Sequence, residues 1–237
     1  MTKIKALYDL SWGIYPKMPV WPGNKPPEFI PYETHEVEGC IATRYSFNAH
    51  FSTHLDSPWH YLKNGKKIED LTLNDLTGNT LYIDVSRKYG PHKNMDDQGV
   101  SLEDVEAAVD ATGEPLNQGD LIMFNTGWHR IWESESEYYF LNHPWISFEA
   151  AKWLVAKKVK AVGIDTCDVD TNKAYIKHPY NPKNHIENFL PNGILILENI
   201  GGQLSEVTGR KMLTIVAPTK MIGGEAAPAR VIALEFE

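Results

Sequence analysis

Ile41-Ala42-Thr43-Arg44-Tyr45-Ser46-Phe47-Asn48-Ala49-His50-Phe51-Ser52-Thr53-His54-Leu55-Asp56-Ser57-Pro58-Trp59-His60 is the stretch on which the reading of this chain turns. Over 41–52 the odd positions carry Ile41, Thr43, Tyr45, Phe47, Ala49 and Phe51, while the even ones carry Ala42, Arg44, Ser46, Asn48, His50 and Ser52. A period of two predicts a strand with one largely apolar face. The even parity continues through His54, Asp56 and His60. Pro58, however, has no N–H to give a ladder and biases Ser57 away from the helical region, so the run is expected to leave the sheet as an extended loop.

Outward from this stretch, short β-branched runs bounded by turn residues predict strands over 80–85, 121–125, 160–164, 194–197, 213–216 and 230–236. Most are apolar throughout, as in a sheet buried on both faces. Two helices are predicted, over 102–109 behind a Ser101 cap and over 148–157 behind a Ser147 cap, each with acids in its first turn. Interleaved strands and helices give an α/β (α+β) class with a mixed central β-sheet. So few helices for so many strands argue against a regular doubly wound or barrel fold.

The chain has 237 residues, 42% hydrophobic and 23% charged, which suits one domain spanning 1–237 with a sizeable core. The clearest linker-like stretches, 19–27 and 63–67, are short. A formal net charge of -8 lacks the basic footprint of a nucleic-acid or anionic-membrane partner. No apolar run approaches the roughly 18 residues of a membrane span, and the N-terminal residues show no apolar signal, so a cytoplasmic location is expected. Two cysteines, Cys40 and Cys167, are too few for a disulfide framework, and both are expected to be buried thiols.

The chemistry concentrates at 50–60, where His50, His54 and His60 are three of the nine histidines and Asp56 stands among them. Imidazole and carboxylate are the donors that zinc, manganese or iron prefer, and two histidines with one carboxylate leave coordination positions open. On a helix His54 and Asp56 would point roughly 200° apart, whereas on extended backbone they share a face. The competing reading is a polar strand edge with surface histidines. Downstream, the apolar run 194–197 would deliver Glu198 at the end of a buried strand, and a buried carboxylate demands a partner. Glu198 and His185 are therefore the further candidate ligands, against a strand-end ion pair and a loop histidine.

These residues resemble the signature H-x-G-T-H-x-D-x-P-x-H of the cyclase family of metal-dependent hydrolases, which includes bacterial kynurenine formamidase and isatin hydrolase. His50, Thr53, His54, Asp56, Pro58 and His60 fall on it, and Ser52 replaces the glycine. The resemblance continues through Tyr8 to Trp12, Pro19 to Gly23, Thr126 to Trp128, Gly163 to Asp170, Leu197 to Asn199 and Ala227 to Val231. It implies a swivelling β/β/α-like fold, a divalent metal (Zn or Mn, with Fe possible) on His50, His54, Asp56, His185 and Glu198, and a homodimer or higher assembly. It also implies amide or lactam hydrolysis in which His60, or the Glu198 carboxylate, takes the proton of the attacking water and returns it to the leaving nitrogen. Two departures stand out. His185 precedes Glu198 by thirteen positions, one more than the family pattern, and Ser52 occupies a place where glycine permits positive φ.

For the small-molecule substrate, Trp21, Phe51 and Trp59 cluster around the motif as a flat aromatic compound would require, although such residues also serve as core. The acidic and aromatic stretch 132–145 is expected to shape the pocket or to cover a subunit interface. The expected activity is an arylformamidase-like cleavage of a C–N bond other than a peptide bond, with an isatin hydrolase-like, lactone or ester hydrolase as alternative. A non-catalytic metal-binding scaffold is the rival from another class. An EF-hand at 168–172 fails because Lys173 stands where the loop needs glycine, and Gly201-Gly202 and Gly223-Gly224 fit turns rather than a nucleotide loop.

Overall fold

The unbroken apolar runs build the middle of the molecule. In a computed structural model that describes residues 3–93, 99–175 and 178–237, the strands are β1 (Ile4–Asp9), β2 (Glu28–Glu33), β3 (Ala42–Ser46), β4 (His54–Asp56), β5 (Thr77–Asp84), β6 (Gly99–Val100), β7 (Leu121–Asn125), β8 (Trp145–Ile146), β9 (Ala161–Ile164), β10 (Leu195–Glu198), β11 (Lys211–Pro218) and β12 (Ala226–Phe236). The helices are α1 (Ser86–Tyr89), α2 (Leu102–Ala111), α3 (Ser136–Leu141), α4 (Phe148–Lys157) and α5 (Leu204–Val207). Ser101 and Ser147 cap α2 and α4 as expected, accepting the N–H groups of Asp104 and Ala150.

The main sheet runs β1-β12-β11-β5-β7-β9-β10-β4, and β4 also pairs with β12. That second pairing closes seven strands into a mixed barrel-like sheet, with β1 added outside on β12. The neighbours β5, β7, β9 and β10 are parallel, and the remaining joints are antiparallel. The mixed sheet is as expected, but its closure corrects the reading against a barrel. The cause is β12, which starts four residues earlier than the β-branched run suggests and gives Ala226, Ala227 and Pro228 to Asp56, Leu55 and His54.

Alternate strand residues divide between two cores. Leu81, Ile83, Ile122, Phe124 and Val162 pack outward against Val105, Val109, Ala150 and Leu154 of α2 and α4. Leu55, Tyr82, Leu121, Met123, Leu197 and Val231 pack together on the opposite face, inside the closed sheet. Gly163 lies opposite Met123, and a Cβ there would stand 2.0 Å from the methionine sulfur, so any larger residue would have to displace the Met123 side chain. A third, aromatic cluster gathers Phe51, Trp128, Trp132, Tyr139 and Phe140 above one end of the sheet, beside Trp21.

Three expectations are revised. The strand read over 41–52 is only Ala42–Ser46, paired with β2 in a separate two-stranded ribbon, and its apolar face lies open, with Ile41, Tyr45 and Phe47 at 63%, 58% and 44% exposure. Among the described residues no third element covers that face, so alternation alone does not bury it. Conversely, 54–56 does not leave the sheet: it is β4, and the chain exits only at the short 3₁₀ turn Pro58–His60. Cys40 is exposed near the ribbon, whereas Cys167 is buried.

Leu55 is fully buried in the strand that closes the sheet. Leu55→Ala is expected to cost about 2–5 kcal/mol of stability, read as a lower urea midpoint, because it removes apolar contacts and leaves a cavity.

Candidate metal centre and active site

β4 owes its place to hydrogen bonding on both edges, to β10 and to β12. His54 and Asp56, two apart on this strand, share a face as extended backbone requires, and Leu55 takes the opposite face into the core. β10 sets Glu198 directly across from His54, with His54 Nε2 3.3 Å from Glu198 Oε2. His50 arrives from the turn before β4, its Nδ1 3.0 Å from Asp56 Oδ1. His185 arrives from the π-helical turn Asn184–Phe189, its Nε2 3.4 Å from Asp56 Oδ2 and 3.7 Å from Glu198 Oε1.

The structure thus brings His50, His54, Asp56, His185 and Glu198 together, and the donor set fits a divalent cation. His54 Nε2 and both Asp56 carboxylate oxygens are buried without a hydrogen bond, a costly state for a polar atom unless an ion satisfies it. His54 Nδ1 donates to the Ser52 carbonyl at 3.0 Å and His185 Nδ1 to Asp170 Oδ2 at 2.9 Å, which leaves both Nε2 lone pairs facing the shared centre. Electrostatics agree. Burial works to lower His54, yet Asp56 and Glu198 raise it to about 9, and Asp56 itself is held well below the carboxylate range by His50 and His54 in spite of burial. The cluster draws positive charge, and a cation meets that demand as protons do.

Two acids that single-residue reasoning passed over belong here. Asp170 takes the N–H groups of Asn184 and His185 as well as the His185 ring, and so holds that histidine in place. Asp168 lies with Oδ1 3.9 Å from His185 Nδ1 and lines the cavity. Their D-x-D spacing was the available signal, and the calcium-loop reading misdirected it.

His60 lies on the 3₁₀ turn after β4, its ring centroid 4.4 Å from that of His50 and 5.9 Å from that of His185. Burial pushes its imidazole down to about 4, with Asp56 opposing, so the ring is neutral at pH 7. Ser52 adopts φ 60°, the conformation for which glycine is suited, and its hydroxyl donates to the Trp12 carbonyl at 2.8 Å.

The centre opens into a cavity of about 820 Å³. Trp21 and Phe51 line it, as do Trp132, Phe140 and Leu141 from the stretch 132–145, which therefore shapes the pocket. Trp59 is not among the lining residues; the Lys67 ammonium sits 4.6 Å from its ring centroid.

A closed mixed sheet carrying imidazole and carboxylate donors at one end defines a class of metal-site proteins. The chain belongs to the family described as "Putative cyclase", whose model matches residues 8–171. Kynurenine formamidase of Bacillus cytotoxicus is 26% identical over 242 residues, covering 97% of this chain and 98% of the relative. In fold the chain is similar to isatin hydrolase A from Ralstonia solanacearum, with a TM-score of 0.82 at 21% identity over 97% of this chain and 91% of that one. It is also similar to a potential metal-dependent hydrolase with cyclase activity, with a TM-score of 0.73 at 24% identity over 98% of both chains.

Asp170→Asn is expected to weaken metal binding about 10–100-fold, measured by competition with a chromophoric chelator, because the His185 ring loses its anchor. Ser52→Gly is expected to be about 1 kcal/mol more stable than Ser52→Ala in urea unfolding, since both lose the hydroxyl but only glycine relieves the positive φ.

Proposed function

We propose that residues 1–237 act as one metal-dependent hydrolase unit that cleaves an amide C–N bond of a small aromatic substrate. The observation that carries this is the convergence of His50, His54, Asp56, His185 and Glu198 on one buried point with unsatisfied donor atoms. A divalent ion held by these residues would polarise a carbonyl and acidify water toward neutral pH. The chain supplies the rest. His60, neutral and beside the donor set, accepts the proton of the attacking water on its ring and returns it to the departing nitrogen. Glu198 suits ligation better than proton transfer, because Oε1 accepts the Val169 N–H at 3.0 Å and Oε2 faces His54. Trp21 and Phe51, with Trp132 and Phe140, form apolar walls that hold a flat ring and exclude water.

The similarity to kynurenine formamidase supports an arylformamidase activity, and the isatin hydrolase-like fold supports a lactam as the second candidate bond. The mixed nitrogen and oxygen donors suit zinc or manganese, with iron as a further option. A homodimer in the cytoplasm completes the proposal; among the described residues no helix is long and apolar enough to cross a membrane.

The test is hydrolysis of N-formylkynurenine and of isatin by metal-loaded protein. Chelation is expected to abolish turnover and re-addition of zinc or manganese to restore it. His60→Ala is expected to lower kcat about 10²–10⁴-fold with metal content retained. A variant with full kcat would remove His60 from the mechanism, and a protein that binds no metal after reconstitution would remove the whole reading.

A further inference from the structure

A second group of side chains, apart from the metal centre, is arranged for chemistry that the hydrolytic reading does not use. β7, β9 and β10 are neighbouring parallel strands, and the chain beyond their carboxyl ends brings three residues together. Asp165 directly follows β9, His129 lies on the 3₁₀ turn Trp128–Ile131 after β7, and Ser205 lies on α5 after β10. His129 Nδ1 is 2.7 Å from Asp165 Oδ2, and His129 Nε2 is 3.2 Å from Ser205 Oγ. None of the three lines the cavity above the metal site.

The order of these contacts sets what they can do. Asp165 is fully buried, and its carboxyl group accepts the Thr126 N–H at 2.9 Å, the Thr126 hydroxyl at 2.6 Å and the His129 N–H at 3.2 Å. An acceptor so placed calls for the proton on His129 Nδ1, and the neutral ring then turns its Nε2 lone pair to the Ser205 hydroxyl. His129 is 6% exposed, so the protein holds its orientation, whereas Ser205 is exposed and open to a reagent from solution. A hydroxyl, an imidazole and an orienting carboxyl group in series are what activates a weak oxygen nucleophile.

We propose that Ser205 is a base-activated nucleophile that takes the acyl group of activated aryl esters, with His129 as proton acceptor and Asp165 as the positioning residue. Ser205 Oγ bonds to the acyl carbon, the ester C–O bond breaks, and the hydroxyl proton passes by way of His129 Nε2 to the departing phenolate. The products are an O-acylserine and a phenol. This acylation goes beyond the amidase reading and uses neither the metal site nor the cavity.

The probe is 4-nitrophenyl acetate at pH 7 with metal-loaded protein, quenched in acid at short times, and acetyl groups are assigned to serines by peptide mass spectrometry. Ester hydrolysis at the metal centre leaves no acetyl group on Ser205, so the two chemistries are read separately. Ser205 is expected to be acetylated about 10²-fold faster than Ser46 and Ser134, which are also exposed. His129→Gln is expected to remove most of that advantage. Asp165→Asn is expected to do the same, because an amide N–H facing Nδ1 favours the tautomer with its proton on Nε2. In both variants the rates at Ser46 and Ser134 are expected to stay unchanged, which a loss of fold would not give. A wild-type rate at Ser205 no faster than at Ser46 and Ser134, or an advantage that His129→Gln leaves intact, would overturn the proposal. The wild-type comparison needs no substitution, so it decides the matter even where a variant does not fold.

Discussion

Everything in this molecule depends on three residues of backbone, His54 to Asp56, hydrogen-bonded along both edges. The pairing with β10 carries the parallel half of the sheet to Glu198, and the pairing with β12 shuts the sheet on itself. A closed sheet has no free edge on which β4 can slip, and a slip of one residue would turn both donors into the core and Leu55 toward the cavity. Structural closure and metal-site geometry are thus one constraint.

The electrostatics follow from the same arrangement. Asp56 and Glu198 are both nearly excluded from water, and each is an anion that burial penalises. Three imidazoles stand around them, two with their outward nitrogens committed to Ser52 and Asp170. Such a cluster is stable only with positive charge at its centre. The Asp170 carboxylate extends the order outward, since it also fastens the backbone of the turn that delivers His185.

Around this centre the walls differ in origin. The aromatic side comes from the loop that holds Trp21 and from the segment around Trp132 and Phe140, packed as a cluster of its own. The acidic side comes from the strand end that leads to Asp168 and Asp170. Each is set by a different part of the chain, so pocket character can vary while the donor set on β4 and β10 stays fixed.

The sequence by itself determined the local terms. Period-two and apolar runs located most of the sheet, serine caps located α2 and α4, and the spacing of His50, His54 and Asp56 announced their chemistry, because each signal is carried by neighbours within a few residues. Closure of the sheet, the burial of His54 to Asp56 and the exposure of Ile41, Tyr45 and Phe47 were decided only by tertiary structure. Alternation shows that two faces differ, but burial requires a second surface, and for 41–47 none is present among the described residues. The convergence of His185, Asp170 and Asp168 on Asp56 was likewise beyond local reading, since more than a hundred residues separate them in sequence and only the barrel brings them within hydrogen-bonding reach of one another or of the shared centre.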